Sequence, residues 1–458
     1  MKLLLNVIKN IEVLESHGNV DISISAISLS NKDIVENALF TAIVGNVTDG
    51  HKFIPDVISK GAKVIVYQNE LENYEHGVTY VRVRDTKAAL GVIAHNFYDR
   101  PSFKLKLFGI TGTNGKTTTA TLLHQLFLNL GHKTGMIGTV VNKINDKSID
   151  AVRTTPDQIN LNRLLAEMVD AGCEYCFMEV SSHAVSEKRI SGLHFAGGVF
   201  TNLTHDHLDY HKTIENYFNT KKTFFDGLHE ASFVLSNIDD ERGRDMVADT
   251  KAKKYFYGLK THADFFNRLE TKLLGEFNAY NALAVYATAH ILGMDSEKIK
   301  NILAELEPVE GRFNYFKSAN GVTGIVDYAH TPDALVNVLK TVQEMKKDGK
   351  IITVVGCGGD RDKAKRPIMA KIAYDMSDIV ILTSDNPRTE NVEDILSDMK
   401  AGIHSESIEV NNVVHIIEDR HMAIAMACEL TQSGDFILLA GKGHEKYQEV
   451  NGVKNHFD

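Results

Sequence analysis

The run Gly109-Ile110-Thr111-Gly112-Thr113-Asn114-Gly115-Lys116-Thr117-Thr118-Thr119 constrains this chain more than any other stretch. Before it, Leu105 to Ile110 is apolar enough for a buried strand; after it, Leu122, Leu123, Leu126 and Leu130 mark one face of a helix. A glycine-rich loop that ends a strand and opens a helix points backbone N–H groups at an anion. A lysine followed by a hydroxyl residue then suits terminal phosphates and magnesium. The run predicts a nucleoside triphosphate site built from Gly112, Thr113, Asn114, Gly115, Lys116, Thr117 and Thr118. The strict pattern G-x-x-x-x-G-K-[ST] asks for glycine at position 110, where this chain has Ile110. A glycine turn that merely packs would need neither Lys116 nor Thr117.

A chain of 458 residues exceeds what one core organises, so two or three domains are expected. Hydrophobic content of 43% and charged content of 24% are those of an ordinary soluble globular protein. A net charge of −10 argues against nucleic-acid binding, so anionic ligands must be met by local cations. The four cysteines, Cys173, Cys176, Cys357 and Cys428, are scattered as in a reducing compartment. Cys173 and Cys176 have C-x-x-C spacing without a second pair, which favours buried thiols over a zinc site. No apolar run of about 18 residues exists, and Met1 to Val7 is too short for a signal peptide. A cytoplasmic protein with no membrane span is expected.

The fold class expected is α/β, in three domains. From Ile22 to about Arg100, Ala38 to Val44, Lys63 to Tyr67 and Thr79 to Val83 read as strands of a small α/β domain, placed at 1–103. A central ATP-binding domain with a mostly parallel sheet is placed at 104–314. In it, Glu179 ends the apolar stretch Phe177-Met178 and can reach a magnesium ion near the phosphates. The run Thr204-His205-Asp206-His207-Leu208-Asp209-Tyr210-His211 invites a zinc reading, but zinc wants closed tetrahedral ligation. Magnesium with Glu179 and one histidine suits an ATP loop better. From about Phe316 the pattern restarts, with Val322 to Val326, Ile351 to Val355, Ile379 to Leu382 and Phe436 to Leu439 as strands of a Rossmann-like doubly wound domain at 315–458. Its motifs fall at strand ends: Asp327-Tyr328-Ala329-His330-Thr331-Pro332, Gly356-Cys357-Gly358-Gly359-Asp360-Arg361-Asp362, Ser384-Asp385-Asn386-Pro387-Arg388 and Gly441-Lys442-Gly443-His444-Glu445. None is the G-x-G-x-x-G of a dinucleotide site.

Thr111-Gly112-Thr113-Asn114-Gly115-Lys116-Thr117-Thr118 resembles the loop of the Mur ligases and their folylpolyglutamate synthetase relatives, which make amide bonds through acyl phosphates. Glu179-Val180-Ser181-Ser182-His183, the histidine run, Tyr217-Phe218-Asn219-Thr220-Lys221, Gly275 to Asn281 and Glu310-Gly311-Arg312-Phe313 are similar to that family in order, as are the four C-terminal motifs. The resemblance implies Lys116, Glu179, His207 and Lys221 as catalytic residues. Thr117, Glu179, His207 and a carbamylated Lys221 would hold Mg2+. Asn278, Asn281, Arg312 and Asp327 would join the loop in binding ATP. Asn31, Thr154, Thr155, Ser181 and Arg189 would contact UDP-N-acetylmuramoyl-L-alanyl-D-glutamate. Arg361, Asp385, Asn386, Pro387, Arg388, Gly441 and Glu445 would bind meso-2,6-diaminopimelate. Arg388 can clamp its far carboxylate with two parallel hydrogen bonds, and Glu445 can pair the ammonium beside it.

The implied reaction is ATP-dependent addition of that diamino acid to the uridine-linked dipeptide in peptidoglycan biosynthesis, by a monomer. Two departures are on view. Ser30-Asn31-Lys32 stands where the family shows Asp-Ser-Arg, and only Leu259 to Leu274 lies where it carries a few extra short strands. These support one rival, an ATP-binding member without ligase turnover. The other, a sister ligase adding L-lysine or another amino acid, is opposed by Arg388.

Overall fold

The computed structural model describes residues 1–45, 48–403 and 413–457. A first sheet is built from β2 (Val13–His17), β4 (Ile27–Ser28), β5 (Leu39–Thr41), β6 (Val64–Tyr67) and β7 (Thr79–Val83) in the order β2-β7-β6-β5-β4, with β2 antiparallel to the rest. The short strands β1 (Lys2–Leu3) and β3 (Ser23–Ile24) pair beside it. The strand expected from Ala38 to Val44 forms a ladder over Leu39–Thr41, and Val44 makes an isolated bridge to Asp49. Its neighbour β4 is two residues long, and the Ile43 carbonyl turns to accept from Gly50 N–H at 2.8 Å.

The central sheet comprises β8 (Lys106–Thr111), β9 (Thr134–Ile137), β10 (Val141–Ile144), β11 (Lys147–Asp150), β12 (Tyr175–Glu179), β13 (Gly197–Phe200), β14 (Phe233–Asn237) and β15 (Lys253–Tyr257). The order is β11-β10-β9-β12-β8-β13-β14-β15, parallel except for the β10–β11 hairpin at one edge. Strands buried on both faces read as unbroken apolar runs, and β8 lies mid-sheet with Phe108 and Ile110 fully buried. The helix Lys116–Asn129 packs Leu122, Leu123, Leu126 and Phe127 on one side of it, together with Leu283 and Val285 of the helix Glu276–Ile291. Between β15 and that helix the described chain makes an isolated bridge, Tyr257 to Phe265, and no named strand. Asp239 straps the segment down, accepting from the N–H groups of Leu259, Lys260 and Thr261 at 2.7, 2.8 and 2.8 Å.

The third sheet holds β16 (Asn314–Lys317), β17 (Thr323–Asp327), β18 (Ile351–Cys357), β19 (Ile379–Ser384), β20 (Val414–Ile416) and β21 (Phe436–Ala440) in the order β16-β17-β21-β18-β19-β20. β16 alone is antiparallel. The hairpin β22 (Tyr447–Val450) and β23 (Val453–His456) follows. The phosphate loop, the Glu179 and histidine motifs and the four motifs of the third sheet leave the carboxyl ends of β8, β12, β13, β17, β18, β19 and β21, whereas Tyr217 to Lys221 lies within the helix Ile214–Asp226 and Gly275 opens the helix Glu276–Ile291. Ligands of parallel sheets gather at those ends. No helix among the described residues is long and apolar enough to cross a membrane. Cys173, Cys176 and Cys357 are buried free thiols and Cys428 is an exposed one.

Candidate active site

The phosphate loop is held open by its neighbours. Gly112 (φ +152°) has Thr201 Oγ1 at 1.9 Å from where a Cβ would stand, and Gly115 (φ +85°) has Asn281 Oδ1 at 2.5 Å, so neither position admits a side chain. Gly115 caps the helix Lys116–Asn129, whose first-turn N–H groups lack intrahelical partners. Thr113 N–H donates to Asn202 O (2.8 Å) and Asn114 N–H to Asn202 Oδ1 (2.9 Å), tying the loop to the residues after β13. Lys116 folds back to donate to Gly112 O (3.0 Å) and Thr113 O (2.7 Å), and burial draws its amine below the ordinary lysine range.

One cavity of about 290 Å³ runs from Asn114, Gly115 and Thr118 past Asn281, Tyr280 and Lys260 to Arg312, Asp327 and Asp333, between the central and third sheets. Asn281 donates to Asn278 Oδ1 at 3.2 Å, and Asn278 to Leu274 O at 2.9 Å, so Asn278 serves chiefly to orient Asn281. Asp327 has both oxygens on backbone N–H groups, of Phe313 (2.6 Å) and Ala329 (2.7 Å), and burial pushes its carboxyl up to about 6. It holds Arg312 in place through the turn. Arg312 lies over the Tyr328 ring at 4.4 Å and donates to Thr117 Oγ1 at 2.9 Å.

A second, tighter cavity of about 140 Å³ joins Lys116, Thr117, Glu179, His207 and Lys221. Glu179 is 1% exposed and accepts only from uncharged donors: Thr139 N–H (2.7 Å), Thr139 Oγ1 (3.1 Å) and Thr117 Oγ1 (3.0 Å). A buried carboxylate with no cation in ion-pair reach among the described residues fits a metal ion shared with phosphate. Burial presses the His207 imidazole down to about 3 against the opposing pull of Asp206, at 3.3 Å, which leaves it the neutral ring that ligates metals. Lys221 is 1% exposed, donates to Gly112 O (2.9 Å) and Thr111 Oγ1 (3.4 Å), and is brought well below the ordinary lysine range by burial and by Lys116. The remaining histidines of the run do not converge on a metal. His205 pairs with Asp362 (2.8 Å), His211 with Ser182 Oγ (2.9 Å), and among the described residues no three His, Cys, Asp or Glu side chains gather as a metal group.

A third cavity of about 400 Å³ is lined by Thr154, Thr155, Ser181 and Arg189 on one side and by Arg361, Asp385, Asn386, Arg388, Gly441 and Glu445 on the other. Thr155 Oγ1 donates to Glu179 O (2.8 Å), Arg189 to Thr155 O (3.0 Å), and Thr154 Oγ1 lies at hydrogen-bond distance from Thr139 Oγ1 (3.1 Å). Arg388 is in the left-handed region (φ 52°), with Pro387 before it fixing the turn, and donates to Gly359 O at 2.7 Å. Arg361 donates to Asp360 O at 2.9 Å. Asn386 Nδ2 donates to Glu445 Oε2 at 2.8 Å. Asn31 lines none of these three cavities; its amide donates to Asp56 Oδ2 at 2.9 Å beside β4.

Sequence reasoning assigned no role to several residues that shape this site. Thr139 supplies two of the three bonds on Glu179 and sits in no recognisable motif. Asp206 and His330 meet at 3.9 Å across the two sheets, and Lys442 reaches Asp385 (3.4 Å), Asn386 (3.1 Å) and Glu445 (3.3 Å). These last three lie inside quoted motifs, so their position was signalled although their partners were not.

A family model described as "Mur ligase middle domain" matches residues 110–289, one described as "Mur ligase, glutamate ligase domain" matches 311–443, and one described as "Mur ligase family, catalytic domain" matches 23–98. A protein of Cytophaga hutchinsonii named UDP-N-acetylmuramoyl-L-alanyl-D-glutamate--2,6-diaminopimelate ligase is 52% identical over 472 residues, spanning 99% of this chain and 96% of that protein. One of the same name from Bacteroides fragilis is 49% identical over 470 residues, again with 99% and 96% covered. A solved structure of a ligase with that name superposes with a TM-score of 0.69 at 29% identity, covering 100% of this chain and 97% of the other.

Proposed function

The chain belongs to the Mur ligase family, and from that premise we propose an ATP-dependent ligase that joins meso-2,6-diaminopimelate to the D-glutamate of UDP-N-acetylmuramoyl-L-alanyl-D-glutamate, a step of peptidoglycan biosynthesis. The observation that carries this reading is the shared wall of two cavities. Thr154, Ser181, Asp206, His207, Tyr328 and His330 line both the phosphate cavity and the cavity bounded by Arg388 and Glu445. A phosphorylated carboxylate at that wall is within reach of an amine held on the other side.

In this reading residues 1–103 hold the uridine nucleotide with Asn31, 104–314 the ATP, and 315–458 the amino acid. Lys116, the loop amides and Arg312 hold the triphosphate in line with the D-glutamate carboxylate, with Asn281 and Asp327 on the nucleoside side. The carboxylate oxygen attacks the γ-phosphorus, the bond to the bridging oxygen breaks, and ADP leaves. The amine of the diamino acid then attacks the acyl carbon, the carbon–oxygen bond to phosphate breaks, and inorganic phosphate leaves. Thr154, Thr155, Ser181 and Arg189 position the dipeptide. An uncharged Lys221 amine is the form that CO2 carboxylates, and the carbamate replaces a cation by an anionic oxygen ligand. Glu179, His207, the Thr117 hydroxyl and that carbamate would hold magnesium, which would supply charge neutralisation at the phosphates. Arg388 and Arg361 hold carboxylates of the amino acid, while Asp385, Asn386, Gly441 and Glu445 surround its far ammonium.

Phosphate release from ATP, measured with the uridine-linked dipeptide and meso-diaminopimelate, L-lysine or no amino acid, tests this. Release only with meso-diaminopimelate, and weakened by Arg388→Ala, is expected. Release with L-lysine instead overturns the role of Arg388, and no release with any amino acid overturns the ligase.

A further inference from the structure

Lys365 is 7% exposed, lines the amino-acid cavity, and opens the helix Lys365–Met376. Its amine donates to one backbone carbonyl, His330 O, at 2.9 Å. No carboxylate among the described residues lies within ion-pair distance of it; Asp206, whose carboxyl it helps to hold down, is shared with His207, His330 and Lys116. A lysine cation is seldom buried without an ion-pair partner unless a ligand supplies one.

Its place along the cavity identifies that ligand. One end of the cavity is marked by Arg388, Asn386 and Glu445; the other adjoins the phosphate cavity at Asp206, His207 and His330. Lys365 is bonded to His330, so it stands at the reacting end. The amine that attacks there carries a carboxylate on the same carbon.

Resting on the ligase reading above, we propose that Lys365 binds the carboxylate adjacent to the attacking amine, while Arg388 binds the one at the far end. Lys365, with Arg361 four residues before it, then holds the reacting end while Arg388 holds the far one. A cation beside the attacking nitrogen also favours its neutral, nucleophilic form. A single charge-assisted bond of this kind is worth about 10- to 100-fold in apparent affinity.

Removing either carboxylate from meso-diaminopimelate leaves one enantiomer of lysine, which gives a direct test. The wild type, Lys365→Met, Lys365→Arg and Arg388→Ala are compared for KM and kcat with meso-diaminopimelate, for KM with ATP, and for the inhibition constants of both lysine enantiomers against meso-diaminopimelate. Lys365→Met should raise the KM for meso-diaminopimelate about 10- to 100-fold, leave the KM for ATP unchanged, and be largely rescued by Lys365→Arg. It should weaken the enantiomer that keeps the reacting-end carboxylate and spare the one that keeps only the far-end carboxylate, with Arg388→Ala showing the opposite pattern. Equal weakening of both enantiomers, a rise in the KM for ATP, or an unchanged KM for meso-diaminopimelate overturns the proposal. A wild type that releases no phosphate with meso-diaminopimelate refutes the ligase reading itself.

Discussion

Buried lysines do different jobs in this molecule, and partner type tells them apart. Lys116 lies on loop carbonyls beside the phosphates, Lys221 is sealed under Tyr217 with its ring 4.6 Å away, and Lys442 is wrapped by Asp385, Asn386 and Glu445. For Lys221, protein equilibrated with 13C-bicarbonate should show a carbamate carbon resonance that Lys221→Gln lacks; its presence in the variant would place the carbamate elsewhere. For Lys442, one positive charge is shared between Asp385 and Glu445, which leaves the pair a net negative charge for a substrate ammonium. Lys442→Met should leave Asp385 and Glu445 without their ion-pair partner and raise the KM for the amino acid about tenfold or more, with the KM for ATP unchanged. An equal change in both constants would point to a folding defect.

At the scale of elements, the amino-acid end is braced from behind. Arg366, fully buried, is held by Glu390 at 2.8 Å and Asp398 at 2.8 Å and donates to Gly358 O at 3.3 Å, while Glu390 also accepts from Asp360 N–H at 2.6 Å. This clamps the loop bearing Arg361 to the turn bearing Arg388. Glu390→Ala should cost about 1–3 kcal/mol of stability in urea unfolding, because it leaves the buried guanidinium with Asp398 as its one carboxylate partner. In the central unit, His124 of the helix Lys116–Asn129 bonds to Thr134 Oγ1 of β9 at 2.8 Å, and its buried Nε2 has no partner. Burial holds its imidazole down to about 4, against 6.5 in the open chain. Between those values the unfolded chain binds a proton that the folded one refuses. His124 therefore costs nothing above pH 6.5 and removes stability as the pH falls towards 4, on the order of 1.4 kcal/mol per pH unit. The urea midpoint of His124→Gln should depend less on pH than that of the wild type in this window.

For the whole molecule, the site exists only where two sheets meet. Asn114 donates to Asp333 Oδ2 at 3.0 Å, and His205 pairs with Asp362 at 2.8 Å, both across the cleft. A half-exposed pair of this kind contributes about 0–1 kcal/mol to stability. Asp362→Asn should leave the melting temperature nearly unchanged while lengthening the mean distance between fluorophores on the two units in the ATP complex. An unchanged distance would show that closure does not depend on the pair.

The phosphate loop was legible from the sequence because glycine, lysine and hydroxyl spacing acts through local backbone geometry. The strand Thr79–Val83, and Ile379 to Leu382 of the strand Ile379–Ser384, were legible because strands buried in a sheet are rich in apolar and β-branched residues. The same locality placed Glu179, Arg361 and Arg388 at strand ends. What the sequence could not disclose was partnership: that Thr139 would bond Glu179, that Glu390 would neutralise Arg366, or that Lys365 would be buried without a carboxylate. Each joins residues 24 to 40 positions apart, or, for Lys365, depends on a partner that did not arrive. Such facts are set by the packing of one sheet against another, and a lysine in a sequence has the same chemistry whether its neighbour in space is a carboxylate or a vacant wall of the cleft.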